Sequence, residues 1–257
     1  MTTPVLSVTH LSKSFGGVKA VSDVSFDVGK GELLALIGPN GAGKTTCFNM
    51  LNGQLKADKG EVKLKGQDIT GLSPRRIWRR GVGRTFQITA TYASMTVREN
   101  VQMALISHAR ETWDFWRVAA ERHIDEAMRL LALVGMETQA DRAAAILAYG
   151  DLKRLELAIA LAHGPELLLM DEPTAGMAPK ERVRLMQLTA DIVAGQGISV
   201  LFTEHDMDVV FAHAHRIMVL NRGELIAVGS VDEVRNDARV QEVYLGGGTL
   251  YEARAHG

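Results

Sequence analysis

Apolar and polar positions alternate along the first part of the chain. VLSVT at residues 5 to 9, VSFDV at 24 to 28 with Val24, Phe26 and Val28 on one face, and VKLK at 62 to 65 show the period of two expected of half-buried strands. LLALIG at 33 to 38 is apolar throughout, as a strand covered on both faces must be, and a glycine-rich loop and a helical pattern follow it. From about Val97 to Gly135 the period lengthens to that of a helix, in VRENVQMALI and ERHIDEAMRLLALVG, and a further helix is predicted at 152 to 163. Strands and helices then alternate. ELLLM is a buried strand, the segment from PKERVRLMQL to Gly195 a helix, ISVLFTE a strand and MDVVFAHA a helix. IMVLN and ELIAVG, joined through Asn221-Arg222-Gly223, read as a hairpin.

Such alternation argues for a mostly parallel sheet covered on both faces, in one α/β domain spanning 1 to 257. The early short strands form an antiparallel β subdomain in this reading, and the helical block at about 88 to 162 is an insertion. With 29 basic and 30 acidic residues the net charge is −1, so no global field draws the protein onto nucleic acid. The basic cluster RRIWRR at 75 to 80 follows Ser73-Pro74, an N-cap and first helical residue, and reads as a solvated helix face. Cys47 is the only cysteine, which excludes an intrachain disulfide. The opening MTTPVLSVTH has neither a basic n-region nor an apolar h-region, and no apolar run approaches the roughly 20 residues that cross a bilayer. The expectation is a soluble, cytoplasmic chain that reaches a membrane only through another subunit.

GPNGAGKTT at 38 to 46 fits G-x-x-x-x-G-K-[ST] between an apolar strand and a helix, the context that gives this motif its meaning. Its glycines let Gly38, Pro39, Asn40, Gly41, Ala42, Gly43 and Thr46 curl a backbone whose N–H groups face phosphate oxygens. Lys44 would reach the β- and γ-phosphates, and Thr45 would ligate Mg²⁺. LLLMDE at 167 to 172 is a buried strand ending in acid, at the sheet edge where open α/β folds bind ligands. Asp171 would hold the Mg²⁺ shell and Glu172 would polarise the attacking water. Two adjacent acids alone are as readily a solvated strand end; the loop at 38 to 46 decides between the readings. A third stretch, LAYGDLKR at 147 to 154, reads as a glycine turn opening a helix whose first N–H groups could face an anion.

GPNGAGKTT, FQ at 86 to 87, LAYGD at 147 to 151, LLLMDEP at 167 to 173 and TEHD at 203 to 206, in that order, resemble the ATP-binding subunit of ABC transporters, a P-loop NTPase fold. FGGVKAV at 15 to 21, GRTFQ, the LAYG form of the signature and VLNRGELIAVG at 219 to 229 are similar to subunits serving branched-chain amino acid importers. The resemblance implies an ATP-hydrolysing motor with ATP and Mg²⁺ as its nucleotide and metal. It further implies that Phe15 stacks on adenine, that Gln87 contacts Mg²⁺ or water, and that His205 sits near the γ-phosphate. Leu147, Ala148, Tyr149, Gly150 and Asp151 would then clamp a nucleotide held by a second ATP-binding subunit. The implied partners are that second subunit (a heterodimer, with a homodimer as the alternative), two transmembrane permease subunits and, indirectly, a periplasmic solute-binding protein. The implied place is the cytoplasmic face of the inner membrane, held peripherally.

The chain departs from the common LSGGQ form: Ala148 replaces serine, Tyr149 a glycine and Asp151 the glutamine. Losing a hydroxyl that bonds a charged phosphate forfeits about 1.5–3 kcal/mol, leaving backbone donors and the helix terminus. Ala178 stands where the loop before the next helix usually carries Asp or Asn. Both departures affect what the chain offers a partner's nucleotide, so hydrolysis is expected to favour the site built on Lys44, Asp171, Glu172 and His205. A soluble ABC ATPase acting on ribosomes or DNA is the rival reading, disfavoured by a single cassette without basic arms. A kinase or GTPase would leave LAYGD and TEHD unexplained, and other solutes such as urea or amides would share nearly every motif. HAH at 213 to 215 reads as a solvated helix end rather than a metal pair, and ETWDFWRV at 111 to 118 as core or a patch for the membrane subunit.

Overall fold

The structure, a computed structural model, describes residues 3–85, 91–109 and 122–245. Gln87 and the ETWDFWRV stretch lie outside those residues. The chain opens with strands β1 (Leu6–Phe15) and β2 (Val18–Val28), then β3 (Leu33–Ile37), helix α1 (Lys44–Leu51) and strands β4 (Lys59–Leu64) and β5 (Gln67–Asp68). Helix α2 (Pro74–Arg79) and strand β6 (Val82–Thr85) precede three helices, α3 (Val97–Ala109), α4 (Ile124–Leu133) and α5 (Tyr149–Leu161). The remaining elements are β7 (Leu167–Asp171), α6 (Pro179–Gln196), β8 (Ser199–Thr203), α7 (Met207–His213), β9 (Arg216–Asn221), β10 (Glu224–Gly229), α8 (Val231–Asn236) and α9 (Ala238–Leu245).

Two sheets result. An antiparallel one runs β2-β1-β4-β5; the other runs β10-β9-β3-β8-β7-β6, parallel except for the β9–β10 hairpin. That hairpin closes through Arg222 and Gly223, both with positive φ (47° and 84°), the geometry a two-residue turn needs to follow the strand twist. Strand β3 explains the central placement of its loop. All five of its residues are buried, and its period of two divides them. Leu33, Ala35 and Ile37 join one apolar core with residues of α3 to α7, while Leu34 and Leu36 join a second with β1, β2, β4 and α1. Strand β7 divides in the same way: Leu168 and Met170 face the helices, Leu167 and Leu169 the antiparallel sheet. A segment apolar at every position can therefore be satisfied only between two layers.

Three differences from the sequence reading have local causes. Strand β2 begins at Val18 and β1 runs on to Phe15, because the hairpin pairing of Phe15 with Val18 extends both beyond their apolar stretches. Strand β6, not foreseen, pairs with the edge of β7; Val-Gly-Arg-Thr is too short for any periodicity to declare it. Helix α5 starts at Tyr149, not at 152, so Gly150 lies inside the first turn and no glycine turn precedes it. A Cβ on Gly150 would stand 3.1 Å from the Glu181 carboxylate, a tight contact to which that side chain would have to yield. The arginines of α2 are exposed around buried Ile77, as read from RRIWRR. His215 is exposed, as read from HAH, and its Nδ1 also accepts a hydrogen bond from the Leu33 N–H at 3.1 Å.

Candidate active site

The loop after β3 can exist only because two of its positions lack side chains. At Gly38, with φ 154°, a Cβ would lie 2.1 Å from the Leu220 carbonyl; at Gly43, with φ 105°, it would lie 2.2 Å from that of Ala20. The loop is thus wedged between β9 and β2, and the hairpin bearing Phe15 at its tip borders it. Phe15 is half exposed, with the Lys13 Nζ 5.6 Å from its ring centroid. Asn40, Gly41 and Thr45 are exposed, Ala42 is buried, and Pro39, Gly43 and Thr46 are intermediate.

Lys44 opens α1 and is only 7% exposed. Its Nζ donates to the carbonyls of Gly38 at 2.7 Å and Pro39 at 3.2 Å, so the ammonium is held inside the curl of its own loop. Burial pushes its pKa below the usual lysine value, against the opposing pull of Glu172 and then Asp171. A cation in that setting is poorly compensated, and an anion brought to the loop would relieve it.

β8 lies between β3 and β7, so the C-terminal ends of the three strands deliver their loops side by side. Asp171, the buried last residue of β7, accepts a hydrogen bond from the Thr203 hydroxyl at 2.7 Å. The same hydroxyl accepts from the Glu172 N–H at 3.0 Å, so one threonine fixes both acids. Glu172 has φ 48°, a left-handed conformation that costs a non-glycine residue energy and aims its side chain away from the strand. There its Oε1 meets Nε2 of His205 at 2.8 Å. The Arg84 guanidinium stands 3.9 Å from Asp171 and donates to Gln54 at 2.6 Å. Glu204, between Thr203 and His205, is buried and accepts from the Thr174 N–H at 2.8 Å. Burial raises its pKa, partly offset by that bond.

Of the predicted residues the structure therefore gathers Lys44, Asp171, Glu172 and His205 at neighbouring strand ends, with the loop from Gly38 to Thr46 beside them. The hard oxygen donors Thr45 and Asp171 suit Mg²⁺. Thr203 and Arg84 were missed; each is joined to Asp171 by parallel pairing of strands distant in sequence, which no local pattern records. The stretch at 147 to 151 is placed elsewhere. Leu147 packs on the helical core, and Ala148 is the N-cap of α5 without a side-chain hydrogen bond. Asp151 pairs with Arg154 and accepts from Gln139 at 3.1 Å; Tyr149 donates its hydroxyl to the Ala175 carbonyl at 3.1 Å. These partners all lie outside the phosphate loop. Among the described residues no group of three or more His, Cys, Asp or Glu forms a metal cluster, and no helix is long and apolar enough to cross a membrane.

Comparison with known proteins agrees with this arrangement. A family model described as "ABC transporter" matches residues 21–175, and one described as "Branched-chain amino acid ATP-binding cassette transporter" matches residues 224–249. The chain is 41% identical over 254 residues to the high-affinity branched-chain amino acid transport ATP-binding protein LivG of Escherichia coli (strain K12), covering 96% of this chain and 99% of that one. It is 36% identical to BraF of Pseudomonas aeruginosa, with the same coverage of each. A solved ATP-binding cassette of an ABC transporter in its ADP conformation superposes with a TM-score of 0.85 at 33% identity, covering 95% of this chain and all of that one. A nucleotide-free cassette does so with a TM-score of 0.82 at 32% identity, covering 94% and 98%.

Proposed function

This chain belongs to the ATP-binding subunits of ABC transporters, and on that premise we propose that it hydrolyses Mg-ATP at the Lys44 site to drive uptake of branched-chain amino acids. The observation that carries the reading is the contact between Glu172 and His205 beside a loop built to curl around phosphate. ATP hydrolysis coupled to transport is the family's activity; the metal, the cargo and the partners are the finer part of the proposal.

Lys44 and the loop N–H groups neutralise the β- and γ-phosphates. Thr45 and Asp171, with Gln87, would hold Mg²⁺, which when bound supplies positive charge to the phosphate oxygens. The Glu172 carboxylate orients a water and takes its proton as the oxygen–phosphorus bond forms and the bond to the ADP oxygen breaks. His205 holds the Glu172 carboxylate in place through its ring N–H. Positioning and charge stabilisation do most of the catalysis in such transfers. The donors of α5 act on a nucleotide held by a second cassette, and permease subunits receive the motion at the cytoplasmic face of the membrane. The match at residues 224–249 and the LivG and BraF relatives favour branched-chain amino acids as cargo.

Calorimetric titration of the purified chain with ATP and magnesium is expected to show saturable binding that Lys44→Ala abolishes. Binding that survives this change overturns the site. Loss of leucine, isoleucine and valine uptake when the gene is deleted tests the cargo, and unchanged uptake removes it.

A further inference from the structure

Tyr149 stands where the common signature has glycine, and its ring is fixed on three sides. Its hydroxyl donates to the Ala175 carbonyl at 3.1 Å. The ring lies against Gly176, where a Cβ would stand 3.5 Å from Tyr149 Cε1. Lys153, one helical turn on, lies with Nζ 5.5 Å from the ring centroid and is itself paired with Glu156 at 3.0 Å, both side chains being buried. A buried ion pair thus supports from beneath a tyrosine that is 44% exposed. Ala175 in turn donates its N–H to the Glu172 carbonyl at 3.1 Å, and the Glu172 carboxylate meets His205. One unbroken set of contacts runs from the head of α5 to the acid that serves this chain's own nucleotide.

We propose that Tyr149 is a positioning residue: it latches the signature end of α5 to the loop after Glu172, so that the clamp offered to a partner's nucleotide follows the state of the chain's own hydrolytic site. The proposal rests on the two-cassette reading above. Where a serine would reach outward to phosphate, the tyrosine reaches inward to the Ala175 carbonyl. The clamp is therefore held in place by its own subunit, and its backbone donors are left for the nucleotide.

Tyr149→Phe removes the hydroxyl and keeps the ring. In the assembled transporter kcat for ATP hydrolysis is expected to fall about 5- to 10-fold, the worth of one hydrogen bond, with the Hill coefficient for ATP falling toward one. Mg-ATP affinity of the isolated chain should stay unchanged, since the Lys44 loop is untouched, and its thermal stability should fall by no more than the loss of one hydrogen bond. Gly176 has φ 78°, so Gly176→Ala strains the backbone of the loop that receives the hydroxyl, and its effect on kcat and that of Tyr149→Phe should not add. Unchanged kcat and cooperativity overturn the latch. So do a fall in isolated-chain Mg-ATP affinity, which marks a merely structural role, and strict additivity of the two changes. A wild-type transporter that hydrolyses ATP without cooperativity overturns the two-cassette reading itself, and the latch with it.

Discussion

At the ends of β7 and β8 the side chains of Asp171, Glu172, Thr203 and His205 hold one another; at the heads of α5 and α6 the caps Ala148 and Ala178 have no side-chain hydrogen bond to give. The same molecule caps other helices fully. Asp206 accepts from the N–H groups of Asp208 and Val209 at the head of α7, and Ser230 and Glu233 form a reciprocal box at the head of α8. Helices α1, α2 and α4 also begin without a side-chain cap, but α5 and α6 are the two whose cap is alanine, with no polar group to give. In the function proposed above, one region would meet its ligand with prearranged side chains, the other with backbone alone.

The largest expected effect sets these two regions against each other across a pair of cassettes. Glu172→Gln in this chain should lower turnover of the assembled transporter at least about 100-fold, the ordinary weight of a general base. The equivalent change in a partner cassette should cost less, because the clamp completing the partner's site comes from Ala148. Equal losses in steady-state phosphate release would erase the asymmetry.

Ala148→Ser sharpens the contrast from the other side. A hydroxyl at the cap of α5 should tighten ATP-driven association of the cassettes by about 10- to 100-fold, the value of one hydrogen bond to a charged group. Sedimentation of the hydrolysis-deficient pair in ATP measures it, and unaltered association would mean that the backbone already suffices.

The smallest effect is one of pH. Burial depresses the pKa of Lys44, so its charged form is disfavoured in the folded chain. With the folded pKa below the unfolded one, the unfolded chain binds the extra proton in the window between them, and stability rises with pH there. Mg-ATP affinity should move the opposite way, declining as pH climbs through the lowered pKa, before an exposed lysine would titrate. Lys44→Arg, which stays charged, should remove that decline in a titration series. A decline shared by both proteins would assign it elsewhere.

Much of this was legible because strand periodicity and the order of motifs are local. LLALI announced its double burial, and GPNGAGKTT and LLLMDE placed Lys44, Asp171 and Glu172 before any geometry. The rest depended on chain segments that meet only on folding. Thr203 binds acids about thirty positions away, and Arg84 sits on a strand of four residues with no pattern to reveal it. Gly150 misled for a related reason: glycine usually marks a turn, but here it makes room for a carboxylate from α6.

The neighbouring order β3-β8-β7 acts as a ruler. Two inter-strand steps of about 4.8 Å separate the strand feeding the phosphate loop from the strand ending in acid, and parallel ladders on both sides forbid either to slide. The gap that must admit a terminal phosphate and its water is therefore set by backbone spacing. Whatever opens and shuts in such a motor has to do so between subunits or among the helices outside the sheet.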